Sequence, residues 1–226
     1  MDLQQHIEAA PASIARLPRD PRGYPIPWFV DMKAPAFNGG PDFRVMDAKR
    51  LKLAIRERRC WVCGGRIMGA AATFVAGPMC GINRTSAEPP CHYECAAWSA
   101  KACPFLSQPK RIRDERDLPA QRHVAGEGIK RNPGVTMLWT CEGYETWRPD
   151  GGGVLFEMRE PSSVEWLREG RPATYDEVAK SIETGLPILL QQAAKGGAQD
   201  CFELGRMTER FLKFLPAPAG ALEVAA

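Results

Sequence analysis

The chain concentrates its potential metal-binding side chains in one stretch, which constrains the fold more than any other feature. Six of the eight cysteines and one of the three histidines lie within residues 60–103. Cys60 and Cys63 are separated by two residues, and so are His92 and Cys95. Thiolates and imidazoles are the donors that Zn²⁺ takes in structural sites, four at a time. The sequence therefore predicts a zinc site formed by Cys60, Cys63, His92 and Cys95.

Local spacing explains how each pair turns toward one ion. Gly64 and Gly65 follow the first pair, where the chain must turn back under the metal through backbone angles that favour glycine. Pro89 and Pro90 precede the second pair and suit the start of a helix, since a first turn leaves its N–H groups unbonded. Residues at i and i+3 share one helix face. We therefore expect a tight thiol turn and a ligand helix over residues 91–102.

Three other cysteines leave alternative ligand sets open. Cys91 and Cys95 are four residues apart and can share a helix face, so Cys91 is an alternative to His92. Cys80 and Cys103 are further candidates, with small buried hydrophobic side chains as the competing interpretation. An iron–sulfur cluster is disfavoured, because the cysteine spacing matches neither common ferredoxin pattern.

The order of these parts resembles the treble-clef zinc finger. That plan has a thiol pair on a tight turn, a β-hairpin and a ligand pair at the start of a helix, and we expect the hairpin over residues 66–72 and 73–79. Some nucleases share the plan but add a catalytic histidine in the hairpin, and this sequence has no histidine between Cys63 and His92. A metal-dependent hydrolase that uses Glu88 near the finger stays an alternative function.

Longer motifs resemble a family of uncharacterised proteins from phage and bacterial genomes. The motifs lie at residues 17–30, 60–64, 77–80, 83–90 and 102–106. The resemblance covers most of the chain. It implies a phage or mobile-element setting in a bacterial host, and it implies no particular activity.

Charge divides the chain into three predicted regions. Residues 1–43 form a proline-rich extended arm of net charge −1, residues 44–131 a basic zinc-finger region of +9, and residues 132–226 an acidic region of −5. The positive region predicts an anionic partner, either nucleic acid or an acidic host protein. The predicted nucleic-acid contacts are seven cationic side chains: Lys49, Arg50, Lys52, Arg56, Arg59, Arg66 and Arg84.

The remaining patterns predict an α+β fold, with a treble-clef-like zinc finger and its basic flanking helix followed by a small antiparallel sheet and carboxy-terminal helices. In the arm we expect a short helix within residues 3–14 and a strap over residues 26–30. The flanking helix is expected at 48–58 after an Asp47 cap, and the strands at 135–140, 144–147 and 153–158. Four further helices are expected. The first covers residues 162–169, and the second begins at the Thr174 capping box and ends at a break over residues 185–187. The last two cover residues 187–195 and 198–214.

The sequence predicts no membrane association. It contains no apolar run long enough to span a bilayer, and its first 30 residues lack a signal-peptide pattern. We therefore expect the cytoplasm of a bacterial host, where cysteines stay reduced. The predicted function is a zinc-stabilised binding module. The alternatives are the hydrolase and a structural protein whose zinc only stabilises the fold, and the sequence does not set the oligomeric state.

Overall fold

The computed structural model describes residues 3–110, 129 and 131–218, and this part of the chain has a mixed α+β fold. The helices are α1 (Leu3–Glu8), α2 (Ala12–Ala15), α3 (Ala48–Glu57), α4 (Pro78–Ile82), α5 (Tyr93–Ala102), α6 (Pro104–Ser107), α7 (Tyr175–Gly196) and α8 (Ala198–Leu212). The strands are β1 (Ala71–Ala76), β2 (Thr85–Ser86), β3 (Thr136–Glu142), β4 (Tyr144–Trp147), β5 (Leu155–Met158), β6 (Pro161–Arg168) and β7 (Arg171–Pro172). The predicted α+β class is confirmed.

The N-terminal arm contains two short helices where the sequence predicts one within residues 3–14. Pro11 is the cap residue of α2, with the extended backbone angles φ −52° and ψ 149°. A proline has no N–H to donate to a preceding turn, so a helix does not continue across this point. Ile14 in α2 is fully buried and fixes the arm to the body.

The strap over residues 26–30 lies against the cysteine-rich turn, a contact that the sequence does not specify. The N–H of Trp28 donates to the Val62 carbonyl at 2.7 Å. The Phe29 ring stacks on Trp61, with ring centroids 5.0 Å apart. Stacked and edge-on aromatic pairs of this kind add stability beyond the area they bury. The strap therefore covers the turn that carries the first thiol pair.

Helix α3 forms where the sequence predicts the basic flanking helix. The Asp47 carboxylate accepts hydrogen bonds from the N–H groups of Lys49 at 2.7 Å and Arg50 at 3.4 Å, which satisfies two donors that a helix start leaves unbonded. Arg58 ends the helix in the left-handed region, with φ 51°. Ala54 faces the core. Lys49, Lys52 and Arg56 lie on the exposed surface of the helix.

The sequence predicts one small antiparallel sheet, but its three strands are divided between two sheets, because β3 pairs with β1 and β6 and only β4 and β5 pair with each other. One sheet has the strand order β1-β3-β6-β7, and the other has the order β2-β5-β4. Phe74 in β1 lies opposite Trp139 in β3, which in turn lies opposite Val164 in β6. Because β1 precedes the ligand helix and β3 lies beyond residue 131, a single sheet connects the cysteine-rich stretch to the second half of the chain.

Two local predictions in this region are wrong. Residues 162–169 are not a helix, because strand β6 occupies them and pairs with β3 along its length. Its register with β3 runs from Leu167 opposite Thr136 to Ser163 opposite Thr140. The hairpin over residues 66–72 and 73–79 is also wrong. Within these described residues only β1 is a strand, its partner is β3, and the chain then enters helix α4.

Helix α7 continues through the proline that was predicted to end it. Thr174 forms the predicted capping box, but the helix runs 22 residues with Pro187 inside it. Proline in a helix interior costs about 3 kcal/mol. Packing offsets this cost, since Gly185 approaches α4 so closely that an added Cβ would lie 2.9 Å from Sδ of Met79. The two helices predicted before and after the break are therefore one, and α8 follows as predicted.

The buried side chains form two clusters. The larger cluster lies between the sheets and the helices α7 and α8, and it includes Trp139, Phe156 and Phe211. The second surrounds the thiol turn and includes Ile14 and Trp61.

The predicted region boundaries stay predictions, and residues 111–128, 130 and 219–226 of the last two regions lie outside the described residues. Across the described residues, no helix combines the length and apolar character that a membrane crossing requires.

Candidate metal centre

The first thiol pair lies on the predicted tight turn. The N–H of Cys60 donates to the Gly65 carbonyl at 2.7 Å, and the N–H of Gly64 donates to the Cys60 carbonyl at 2.9 Å. Arg59 and Arg66 form an antiparallel bridge across the mouth of the turn. Gly64 has φ +75°, a left-handed conformation that glycine adopts without steric penalty. Local hydrogen bonds therefore hold the two thiols on one side of a closed loop.

The second pair lies at the start of α5, and this helix begins two residues later than predicted. The helix begins at Tyr93 instead of Cys91, and His92 is its cap residue, with φ −62° and ψ 146°. The N–H of Ala96 donates to the His92 carbonyl at 3.0 Å and closes the first turn. Cys95 falls in that first turn, so its Sγ lies beside the imidazole of His92.

The four predicted ligand atoms converge on one point. One donor atom each from Cys60, Cys63, His92 and Cys95 lies within 4.8 Å of the others. Nδ1 of His92 is 3.4 Å from Sγ of Cys63 and 3.8 Å from Sγ of Cys95. A tetrahedral zinc ion with Zn–S of about 2.3 Å and Zn–N of about 2.0–2.1 Å places sulfur and nitrogen about 3.6 Å apart. The observed distances bracket this value, so the side chains fit a metal ion as they stand.

The hydrogen bonding of His92 also suits a metal ligand. Nε2 lies 3.0 Å from the Arg66 carbonyl oxygen. A carbonyl oxygen only accepts, so Nε2 donates its proton there, and the neutral imidazole that binds a metal has its lone pair on Nδ1, the atom that faces the thiols. Metal-bound histidines usually donate their other ring N–H to a carbonyl or carboxylate, which fixes the tautomer and the ring orientation.

The cluster concentrates negative charge on Cys60. Contact with Cys63, followed by contacts with Cys91 and Cys95, lowers the pKa of Cys60. Contact with Cys60 raises the pKa of Cys63 and of Cys95. It also raises the pKa of His92 to about 9, against the opposing effect of burial. The groups thus compete for protons, and a divalent cation relieves that competition because it binds deprotonated thiols and a neutral imidazole.

The alternative thiols lie outside the group of four. The Cys91 thiol contacts Cys60, but its backbone pairs with Thr73 of β1, with N···O distances of 2.7 and 3.0 Å. Cys80 lies in α4 and Cys103 caps α6. Burial raises the pKa of both thiols, as expected for small buried side chains. Among the described residues, no second group of three or more donors comes as close together.

The donor set has the composition that structural zinc sites use. Catalytic zinc sites keep one coordination position for water or substrate, whereas four protein donors are available to a bound ion here. Glu88, the acid–base group of the hydrolase alternative, is not among the converging donors. Its N–H donates to Oγ of Ser86 at 3.1 Å, and its carbonyl accepts from the same hydroxyl at 2.9 Å, so its backbone forms a local turn.

Two of the seven predicted cationic contacts, Arg50 and Arg84, bond to the strap and to Glu160, away from the other five. The Arg50 guanidinium donates to the Trp28 carbonyl and so secures the strap to α3. Arg84 pairs with Glu160 at 2.5 Å and lies over the Trp139 ring, 4.8 Å from its centroid. Both arginines therefore stabilise the fold, and Arg84 lies with the sheets instead of α3.

The other five cations lie along α3 and the thiol turn. Arg56, Arg59 and Arg66 surround the Glu57 carboxylate at nitrogen–oxygen distances of 2.6, 2.7 and 4.0 Å. Hydrogen bonds from Arg56 and then Arg59 lower the pKa of Glu57, yet one carboxylate cannot neutralise three guanidinium groups. Positions 49, 52 and 56 share one helix face. We call this surface the basic edge, and its members are Lys49, Lys52, Arg56, Arg59 and Arg66.

One contact of the cluster has no signal in the sequence. Oγ of Ser13, in α2, lies 3.5 Å from Sγ of Cys95 and 3.4 Å from Oε1 of Glu94. Ser13 and Cys95 are 82 positions apart, and only the docking of the arm brings them together. A serine in an alanine-rich segment carries no pattern that predicts this contact.

Comparisons with protein-family models, curated proteins and solved structures each found no match. The resemblance to phage and bacterial proteins and the bacterial cytoplasmic location therefore stay predictions. The treble-clef assignment is not confirmed. The thiol turn and ligand helix are present, but β1, paired with β3, and helix α4 occupy the place of the hairpin.

Proposed function

We propose that the protein is a zinc-stabilised binding module that contacts the phosphates of nucleic acid through the basic edge. The observation that supports this proposal most is that one backbone turn bonds both to a metal-donor side chain and to a cationic side chain. Arg59 donates to the Gly64 carbonyl at 3.0 Å, and the Arg66 carbonyl accepts from His92. The turn that carries two of the thiols thus also bonds to, or is flanked by, two of the arginines.

Zinc supports this arrangement energetically. Three thiolates and a neutral imidazole around Zn²⁺ carry a net charge of about −1, which lies next to the positive edge and reduces repulsion between its arginines. In this proposal the centre is a treble-clef variant, in which β1 and its sheet partner take the place of the hairpin. The zinc ion holds the thiol turn against α5 and does no chemistry.

Metal analysis tests the zinc centre. Tag-free protein purified without added metal is expected to contain about one zinc ion per chain. Cys95→Ser removes a ligand and is expected to abolish stoichiometric zinc. Cys201→Ser is the matched control, since Cys201 lies in α8 and outside the donor cluster, and it is expected to retain the metal. Metal-free wild-type protein of native fold would refute the zinc centre.

Salt titration tests the nucleic-acid surface. Five phosphate contacts predict a slope of about −4 to −5 for log affinity against log salt on duplex DNA. Removing Arg56 and Arg66 together, as alanines, is expected to reduce that slope by about 2. The control is Arg159→Ala with Arg206→Ala, which removes two exposed arginines that do not belong to the basic edge. Absence of DNA and RNA binding at low salt would overturn the proposal and leave an acidic protein as the partner of the same edge.

A further inference from the structure

The N-terminal arm brings one hydroxyl group to the metal centre. Ser13 lies in α2, next to the fully buried Ile14, which packs in the same cluster as Cys60 and Cys95. Oγ of Ser13 is 3.5 Å from Sγ of Cys95, whose residue is also fully buried. Burial of both neighbours holds the hydroxyl beside the sulfur, so the contact does not depend on a mobile surface side chain.

The chemistry of a bound thiolate decides the direction of this hydrogen bond. A metal-bound Cys95 has lost its proton, so it only accepts and the Ser13 hydroxyl must donate. The competing acceptor is Oε1 of Glu94, at 3.4 Å. That distance is long for an O–H···O bond, whose usual range is about 2.5–3.0 Å, whereas the larger sulfur atom accepts at about 3.5 Å. Glu94 is also exposed, and water can hydrate its carboxylate.

We propose that Ser13 is a positioning residue of the metal centre, whose hydroxyl donates to Sγ of Cys95 and ties the N-terminal arm to the ion. The inference rests on the proposed zinc site. A hydrogen bond to an anionic acceptor is stronger than one between neutral groups. It lowers the electron density on the sulfur and stabilises the negative charge of the three-thiolate set. Docking of the arm and binding of the metal are consequently linked.

Cobalt substitution of the full chain reads out this hydrogen bond directly. Loss of the donor leaves the sulfur richer in electrons, so the sulfur-to-cobalt charge-transfer band of Ser13→Ala is expected to move to longer wavelength. Metal affinity, measured by competition with a chromogenic chelator, is expected to fall about tenfold, as for other residues that support metal ligands. Ser13→Thr keeps the hydroxyl and is expected to restore the band and the affinity.

Ile14→Val is the matched control for loosening of the arm. It removes one buried methylene beside Ser13, so it is expected to lower stability while leaving the charge-transfer energy unchanged. An unshifted band in Ser13→Ala, with cobalt still bound, would overturn the inference and leave the zinc centre intact. A wild-type protein without a thiolate–cobalt band would overturn both.

Hydrogen exchange on the wild-type chain gives a second readout that needs no variant. Zinc is expected to slow amide exchange at Ile14 and at Ala15, whose N–H groups both bond to the Pro11 carbonyl in the arm. If zinc slows exchange in the thiol turn but not in the arm, the arm is not tied to the metal and the inference is wrong. This measurement decides the question even if Ser13→Ala does not fold.

Discussion

Gly64 and Gly69 form a matched pair that tests how the strap docks on the thiol turn. Both have left-handed backbones, with φ +75° and +76°. A Cβ at Gly64 would lie 2.5 Å from Cγ of Trp28, whereas a Cβ at Gly69 would have no atom within 4 Å. Alanine at Gly69 therefore imposes backbone strain alone. Alanine at Gly64 imposes the same strain together with a collision against a rigid indole ring.

The backbone strain and the collision with the indole ring each have a typical free-energy cost. A left-handed conformation costs a residue with a Cβ roughly 1–2 kcal/mol. An extra methyl group in a packed site costs typically about 1–3 kcal/mol more. We therefore expect Gly69→Ala to lower the free energy of unfolding by about 1–2 kcal/mol and Gly64→Ala to lower it by about 2–5 kcal/mol. The difference between the two variants measures the strap contact.

Urea unfolding followed by circular dichroism in excess zinc measures these values. A double-mutant cycle sharpens the test, because Trp28→Ala removes the ring that the new methyl group meets. In that background Gly64→Ala is expected to cost only as much as Gly69→Ala, with a coupling of about 1–3 kcal/mol. Equal costs at both glycines in the wild-type background would refute the docking of the strap on the turn.

Three further predictions concern the core, the pH and the metal. Phe211→Ala is expected to cost about 3–5 kcal/mol in urea unfolding, because Phe211 is 1% exposed, whereas Phe202→Ala, at a side chain 63% exposed, stays within about 0.5 kcal/mol. The Arg171 hydrogen bond lowers the pKa of Glu177 from 4.5 to about 2. The ionised Glu177 carboxylate therefore stabilises the fold above pH 4.5, and this stabilisation is lost as the pH falls toward 2. Glu177→Gln is expected to flatten this part of the stability–pH curve. Acid is also expected to release zinc, since protons compete for the thiolates, and dialysis at stepwise lower pH with metal analysis measures the release.

Features with local signals were predictable from the sequence. The four converging donors follow from side-chain chemistry and two short spacings. The Asp47 cap and the Thr174 capping box follow from residues within three positions of each helix start. The left-handed turn at Gly64 follows from the need to reverse the chain under the metal. None of these depends on what packs against the segment from elsewhere.

Features that depend on distant partners were not predictable. Residues 162–169 have a serine start and a glycine end that suit a helix, but pairing with β3 makes them a strand. Pro187 ends isolated helices, but contacts of α7 with α4 and α8 keep it inside one. Arg50 and Arg84 have the charge expected of phosphate contacts, yet the strap and Glu160 take their hydrogen bonds. Tertiary packing overrides local preference in each case.

Strand β1 couples the unfolding of the cysteine-rich stretch to that of the main sheet. Thr73 bonds on one side to Cys91, immediately before the ligand helix, and its hydroxyl lies 2.9 Å from that of Thr140 on the other. The same six residues thus belong both to the edge of the cysteine-rich stretch and to the main sheet. A cysteine-rich fragment that ends before β3 would leave the edge of β1 without its partner strand, so we expect such a fragment not to fold on its own. Heating should accordingly disrupt both halves in a single cooperative event.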